Sequence, residues 1–219
     1  MNSHTVFLYA CAAAVMVTGT RLLAALATQG DKDLPPPLAL LRMWRRPVPM
    51  VSAVLVSVMA VLGLAQTVFP SMIGALERHP GGEWWRAGTA LAVQSSGWFQ
   101  ILFNVAALAA VAPVAERRLG PWPMVLAFTV SGVVAQAVSM AGWSRHGGGD
   151  SVAICGLVGA LAVSYARHGN LPALRRLVLL IPAAGLLLCL MTNNHGAGLL
   201  AGCALGVGLA VPVRQPLTA

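Results

Sequence analysis

A serine and a histidine, each opening an apolar run, are the residues of this sequence best suited to covalent chemistry. Ser151 follows the turn Gly147-Gly148-Gly149-Asp150 and begins the stretch Ser-Val-Ala-Ile-Cys-Gly-Leu-Val-Gly-Ala. His195 lies forty-four residues further on and opens the stretch His-Gly-Ala-Gly-Leu-Leu-Ala-Gly. A hydroxyl is a weak nucleophile until a base takes its proton, and an imidazole is the commonest side chain for that task. In the first turn of a helix Ser151 would also sit among free backbone N–H groups at the positive end of the helix dipole. Those donors suit a developing oxyanion. Read alone, the serine motif is equally an ordinary glycine loop followed by a helix cap. His195 alone could serve as a structural hydrogen-bonding group, although an imidazole inside an apolar segment is a functional candidate by default. Together the two are the minimum apparatus for hydrolysing an amide within a bilayer.

The elements that must position them follow from composition. Of the 219 residues, 58% are hydrophobic and only 9% charged, against roughly a quarter charged in a soluble domain. The mean hydropathy is +0.77. Seven apolar runs, near 5–28, 48–70, 98–114, 121–142, 151–168, 172–191 and 195–213, reach or approach the roughly 20 residues that a helix needs to cross the hydrocarbon. Open sheets are excluded there, because lipid cannot satisfy their edges. The expectation is an all-α, polytopic membrane protein.

The net charge of +8 reports orientation. With Arg42, Arg45 and Arg46 cytoplasmic, successive spans put Lys32, Arg117, Arg118, Arg167, Arg175, Arg176 and Arg214 on the same side, against Arg78, Arg86 and Arg145 opposite. Arg21, inside the first run, is placed to snorkel to the cytoplasmic side. That bias is the positive-inside pattern and sets the N-terminus outward. The first run lacks the basic segment of a cleaved leader, so a retained helix is expected. Arginines scattered over short loops make no nucleic-acid surface, although they suit anionic lipid. Cys11, Cys155, Cys189 and Cys203 all fall inside apolar runs, match no zinc spacing and read as small hydrophobes. Residues 29–47, with Pro35-Pro36-Pro37 and the arginine cluster, read as a linker. They divide the chain into an added N-terminal helix with its linker, 1–47, and a six-helix unit, 48–219.

Alternation of spans brings the two reactive residues to one depth. The run from Ser151 descends about 18 residues, roughly 27 Å at the helical rise, and the next returns over a similar length. Gly198, Gly202 and Gly206 recur every four residues below His195, and Gly156 with Ala160 forms a small stripe on the facing run. Small residues at that spacing permit close helix approach in lipid, a pattern that also serves packing alone. Gln100 and Asn104, one turn apart, must find partners because unpaired amides are costly in an apolar setting. They are either structural or donors to an oxyanion.

Five short motifs now stand in order: Gly82-Glu83-Trp84-Trp85-Arg86; Gln100-Ile101-Leu102-Phe103-Asn104; Glu116-Arg117-Arg118-Leu119-Gly120; Gly149-Asp150-Ser151; and His195 with Gly198 and Gly202. On these the chain resembles the rhomboid intramembrane serine proteases over about residues 48–213. The resemblance implies a six-helix core with one extra N-terminal helix and a Ser–His dyad opening to the outer face. Ser151 would be the nucleophile, His195 the general base and Asn104 an oxyanion donor beside the Ser151 N–H. Gln100 and Gly149 would support that site. Glu116 and Arg117 match a structural loop motif, and Trp85-Arg86 an outer loop lying partly in lipid.

The implied activity is endopeptidase cleavage of transmembrane protein substrates near their outer ends, with no metal or organic cofactor and no nucleic-acid partner. A non-catalytic relative that binds membrane clients is the alternative. The Gly- and Ala-rich, lysine-poor composition suggests a bacterial plasma membrane. Four positions depart from the family's usual pattern. Gln100 stands for a histidine, Val152 for a glycine and Cys155 for an aromatic, while Asp150 sets a carboxyl beside the serine.

Overall fold

A computed structural model describes residues 3–28, 35–45, 47–143 and 146–209. Among the described residues the regular structure is helical: α1 (Ser3–Ala27), α2 (Pro36–Arg42), α3 (Met50–Val68), α4 (Ser71–Leu76), α5 (Arg86–Thr89), α6 (Trp98–Leu119), α7 (Pro121–Val138), α8 (Ser151–His168), α9 (Pro172–Leu177), α10 (Leu180–Leu190) and α11 (Asn194–Gly208). Among the described residues six segments are long and apolar enough to cross a membrane: His4–Ala27, Met50–Val68, Trp98–Leu119, Pro121–Trp143, Ser151–His168 and Pro172–Leu190. The all-α, polytopic architecture expected from composition is therefore the one that forms. The seventh expected span is α11, a helix of 15 residues. Residues 210–213 of that span, residues 29–34 and 46 of the linker, and the charges at Lys32, Arg46, Arg145 and Arg214 lie outside the described residues.

Helix α8 is the axis of the bundle. It packs on α6, α7 and α11, and Leu157, Leu161 and Ala160 are fully buried. In hydrocarbon, apolar side chains gain little by facing one another, so helices associate by close contact between small residues. The glycine stripe supplies that contact. A Cβ on Gly202 would fall on the Gly156 backbone, one on Gly198 on the Val152 carbonyl, and one on Gly206 would lie 2.7 Å from the Ala160 carbonyl oxygen. On the α7 side, Ser131 donates to the Ala127 carbonyl and fills the space beside Gly156.

Side chains at the two ends hold the bundle's connections. Glu116 accepts from Ser52 N and Ser52 Oγ, both at 2.6 Å, so it caps the start of α3 from the end of α6. Arg117 donates to the carbonyls of Met43, Arg45 and Pro47 at 2.8–2.9 Å, which binds the segment entering α3 to the same helix end. At the opposite end Arg86 donates to the carbonyls of Ala75 and Glu77 at 2.9 Å, and its guanidinium lies 4.6 Å from the Trp85 ring centroid. It fastens the loop between α4 and α5, from which Trp84 projects at 85% exposure. An indole presented there suits the membrane interface.

The packing has a direct test. Gly202→Val sets a branched side chain against the Gly156 backbone and is expected to lower stability by about 1–3 kcal/mol, the range for overpacking. Gly208→Val, at a helical glycine with nothing within 4 Å of its Cβ position, is the control and should melt like the parent in detergent. Equal melting of the two variants would show that backbone approach does not hold the pair.

Candidate active site

Ser151 is the first residue of α8, so its side chain stands at the mouth of the bundle. The first intrahelical bonds to the preceding turn are Ala153 N and Ile154 N to Asp150 O, at 2.9 and 3.0 Å. The amides of Ser151 and Val152 come before them, in the part of a helix where N–H groups point outward. Opposite, α11 begins at Asn194 and carries His195 in its first turn. Close approach of α8 and α11 brings Ser151 Oγ to 3.0 Å from His195 Nε2.

The protonation pattern of that contact can be worked out from its neighbours. Asn193 Oδ1 accepts the His195 backbone N–H at 3.0 Å, which identifies the atom as the oxygen, and it lies 3.1 Å from His195 Nδ1. Nδ1 must then carry the ring hydrogen, leaving Nε2 to accept from the serine hydroxyl. Asn193 thus caps α11 and fixes the imidazole's tautomer at once. The turn that presents it holds Thr192 at a φ of 54°, a region that β-branched residues rarely enter.

The glycine turn before Ser151 is gripped on both sides. Gly149 N donates to the Ala90 carbonyl at 2.8 Å, and the Gly149 carbonyl accepts from Gln136 Nε2 at 2.9 Å. Gly149 has a φ of 153°, and a Cβ there would collide with the Gln100 amide. Ser95 Oγ bonds both N and O of Gly148, at 2.9 and 3.1 Å. Buried Arg78 donates to Gln136 Oε1 and to the Gly147 carbonyl, in register with an isolated antiparallel bridge between Arg78 and Gly147. The loop is therefore a rigid platform for the start of α8.

Gln100 and Asn104 both reach this region, with different partners. Gln100 Nε2 donates to the Gly148 carbonyl at 3.0 Å while its Oε1 accepts from Ser96 N at 2.7 Å. In this arrangement it braces the turn. Asn104 lines the same cavity as Ser151 and His195. Its Nδ2 donates to Gln94 Oε1 at 2.8 Å and to Asp150 Oδ1 at 2.9 Å. Gln94 Nε2 donates to the same Asp150 oxygen at 2.6 Å, and Gln94 is paired through its backbone with Gln66. Asp150 is 1% exposed, and its Oδ2 has no hydrogen-bond partner among the described residues. Burial pushes its carboxyl above the usual carboxylate range, opposed by the bonds from Gln94 and Asn104.

Beside the pair lies an apolar cavity of about 570 Å³, walled by α1, α6 and α8 together with Leu188, Asn193 and Leu199. That volume falls within the range of ligand-holding pockets. The sequence does not mark Asn193, Gln94, Gln66 and Gln136 as site residues, and it marks Arg78 only as a charge on the outer side. The signal for Gln66 and Gln136 was present, because an amide inside an apolar helix needs a partner as much as Gln100 and Asn104 do. Asn193 reads simply as a helix cap until the fold turns its oxygen towards His195.

A family model described as the rhomboid domain matches residues 81–214, more than half of the chain and every element from α5 onward. No curated protein is similar enough to be counted as a relative. The match covers Ser151, His195, Asn104 and the glycine stripe, and with the apolar helices it makes this a multi-pass integral membrane protein that belongs to the rhomboid family.

Proposed function

We propose that the chain is an intramembrane serine endopeptidase that cleaves transmembrane protein substrates near the outer face of a bacterial plasma membrane. Residues 48–219 would form the catalytic unit, and residues 1–47 an addition to it. The observation that carries this reading is the Ser151 Oγ to His195 Nε2 contact of 3.0 Å at the edge of the 570 Å³ cavity. Rhomboid proteins are usually serine proteases of this kind, although the family includes non-catalytic members.

The chemistry follows from the contacts. Nε2 of His195 takes the hydroxyl proton as Ser151 Oγ attacks the scissile carbonyl, while Asn193 holds Nδ1–H and stabilises the imidazolium. The tetrahedral oxyanion meets the Ser151 N–H at the start of α8. Asn104 adds a donor when its amide turns from Asp150 to the oxyanion. Collapse breaks the C–N bond, and the amine departs with the proton carried by His195. Water then attacks the acyl-serine, with His195 again as base, and releases the acid. No metal or organic cofactor enters these steps. A neutral Asp150 does not oppose the oxyanion, and its buried carboxyl favours that form.

One observation favours the second reading, a non-catalytic protein that binds membrane clients. The Asn104 amide is already bonded to Gln94 and Asp150 rather than turned to the cavity.

Reconstitution with a single-span peptide carrying small residues near its outer end separates the two. Mass spectrometry is expected to find one cut near that end, no cut with Ser151→Ala, and a rate lowered by about 10² or more with His195→Ala. Asn193→Ala should lower kcat more than KM. A wild-type protein that binds the peptide and leaves it intact would be the non-catalytic relative.

The pH profile tests Asp150. Because its carboxyl titrates above the usual range, the acid is neutral at lower pH and becomes an anion beside the oxyanion as pH rises. Ionisation of Asp150 is therefore expected to lower cleavage on the alkaline side of its transition. Asp150→Asn, which cannot ionise, should lose that fall, whereas an unchanged alkaline limb would free Asp150 of that role.

A further inference from the structure

The cavity beside Ser151 and His195 is bounded on one side by a helix that lies outside the region matched by the family model. Leu8, Ala12, Val15 and Gly19 of α1 line it together with Asn104 and Ser151. Helix α1 packs on α10, α6 and α8 and forms one wall of the cavity beside the reactive pair. It is a single apolar membrane-crossing helix, His4–Ala27, and 28% of its most apolar stretch is buried.

The two halves of α1 are held unequally. At its C-terminal end Leu22, Leu23, Leu26 and Ala27 are buried in the main core, and Arg118 donates to the Leu26 carbonyl at 3.0 Å. Towards the N-terminus, Cys11 packs against Ala184 and Leu188 in a small separate cluster, and Phe7 and Tyr9 are more than 60% exposed. Protein interiors are normally close-packed. Between α1 and the reactive pair lies instead an apolar cavity of about 570 Å³, lined along α1 from Leu8 to Leu23. A helix whose lower end lies in the main core, and whose upper half is held by a small separate cluster on α10, can swing there without unpacking the core.

We propose that α1 is a resident occupant of the docking groove on α6, α8 and α10, and that an incoming transmembrane helix takes its upper half's place to reach Ser151. The inference rests on the reading above that this site receives transmembrane helices, and it adds that the chain's own first helix competes for the groove. Occupancy by α1 then sets access. A client gains the groove only by binding it better than α1 does, because a partner shifts a conformational equilibrium only by its difference in affinity for the two states. The apolar lining selects an apolar, membrane-spanning partner.

A reversible staple tests this in the full chain. Ala184→Cys provides a disulfide partner for Cys11, with Cys155, Cys189 and Cys203 replaced by alanine and Ser151→Ala preventing turnover. Phe103, which also lines the cavity, is replaced by the photocrosslinker p-benzoylphenylalanine. The probe is a synthetic single-span peptide in bicelles. Reduced protein is expected to crosslink the peptide, oxidation to lower the yield about tenfold by removing the open state, and reductant to restore it in the same sample. A second staple, Leu188→Cys, repeats the test should the first fail to fold or to close. Equal yields in both redox states, or no peptide adduct in either, would overturn the proposal. Because the readout is binding to a Ser151→Ala chain, its outcome is independent of whether the wild-type protein cleaves.

Discussion

Between helices in hydrocarbon the favourable terms are contact and hydrogen bonding, since the surrounding lipid is as apolar as any leucine. The approach of α11 to α8 meets that constraint with backbone against backbone. Gly198, Gly202 and Gly206 leave no room for a Cβ over Val152, Gly156 and Ala160. Everything at the mouth of the bundle depends on this closeness. Ser151 and His195 each stand in the first turn of their helix, and a separation a few ångströms larger would leave the hydroxyl facing lipid and the imidazole without its partner.

The second requirement is a fixed start for α8. A glycine turn is conformationally permissive, yet 147–149 is held by Ala90, Ser95, Gln100, Gln136 and Arg78 acting on successive backbone groups. Buried Arg78, Gln94, Asn104 and Gln136 therefore serve one end of one helix. Asp150 joins the same network through Gln94 and Asn104, so the carboxyl beside the serine is tied to the amide that the proposed chemistry would turn to the oxyanion. Asn193 completes the arrangement from the other side by setting which ring nitrogen of His195 is free.

How much of this could be read from the sequence depends on whether a residue's partner is implied by its own helix. Ser151, His195 and the four-residue glycine repeat were legible, because span length sets depth and period sets face. Glu116 and Arg117 were legible as a structural motif, and in the fold Glu116 caps α3 while Arg117 holds the carbonyls of the segment entering it. Gln100 and Asn104 were recognised as amides needing partners. Their partners, Gly148 and Asp150, come from a turn more than forty residues away, and only the fold decides them. The position of α1 left no trace in the sequence. A helix apolar on every side has no polar face to orient it, so its seat beside the cavity is a product of tertiary packing.

The central claim is that the bond between Ser151 and His195 makes the serine a nucleophile. Labelling of the detergent-solubilised, folded protein with a fluorophosphonate tests it most directly, because phosphonylation needs an activated hydroxyl and no transmembrane substrate. The account requires a covalent adduct on Ser151 that is absent from both Ser151→Ala and His195→Ala. A folded protein that stays unlabelled, or an adduct that survives the loss of His195, would contradict it.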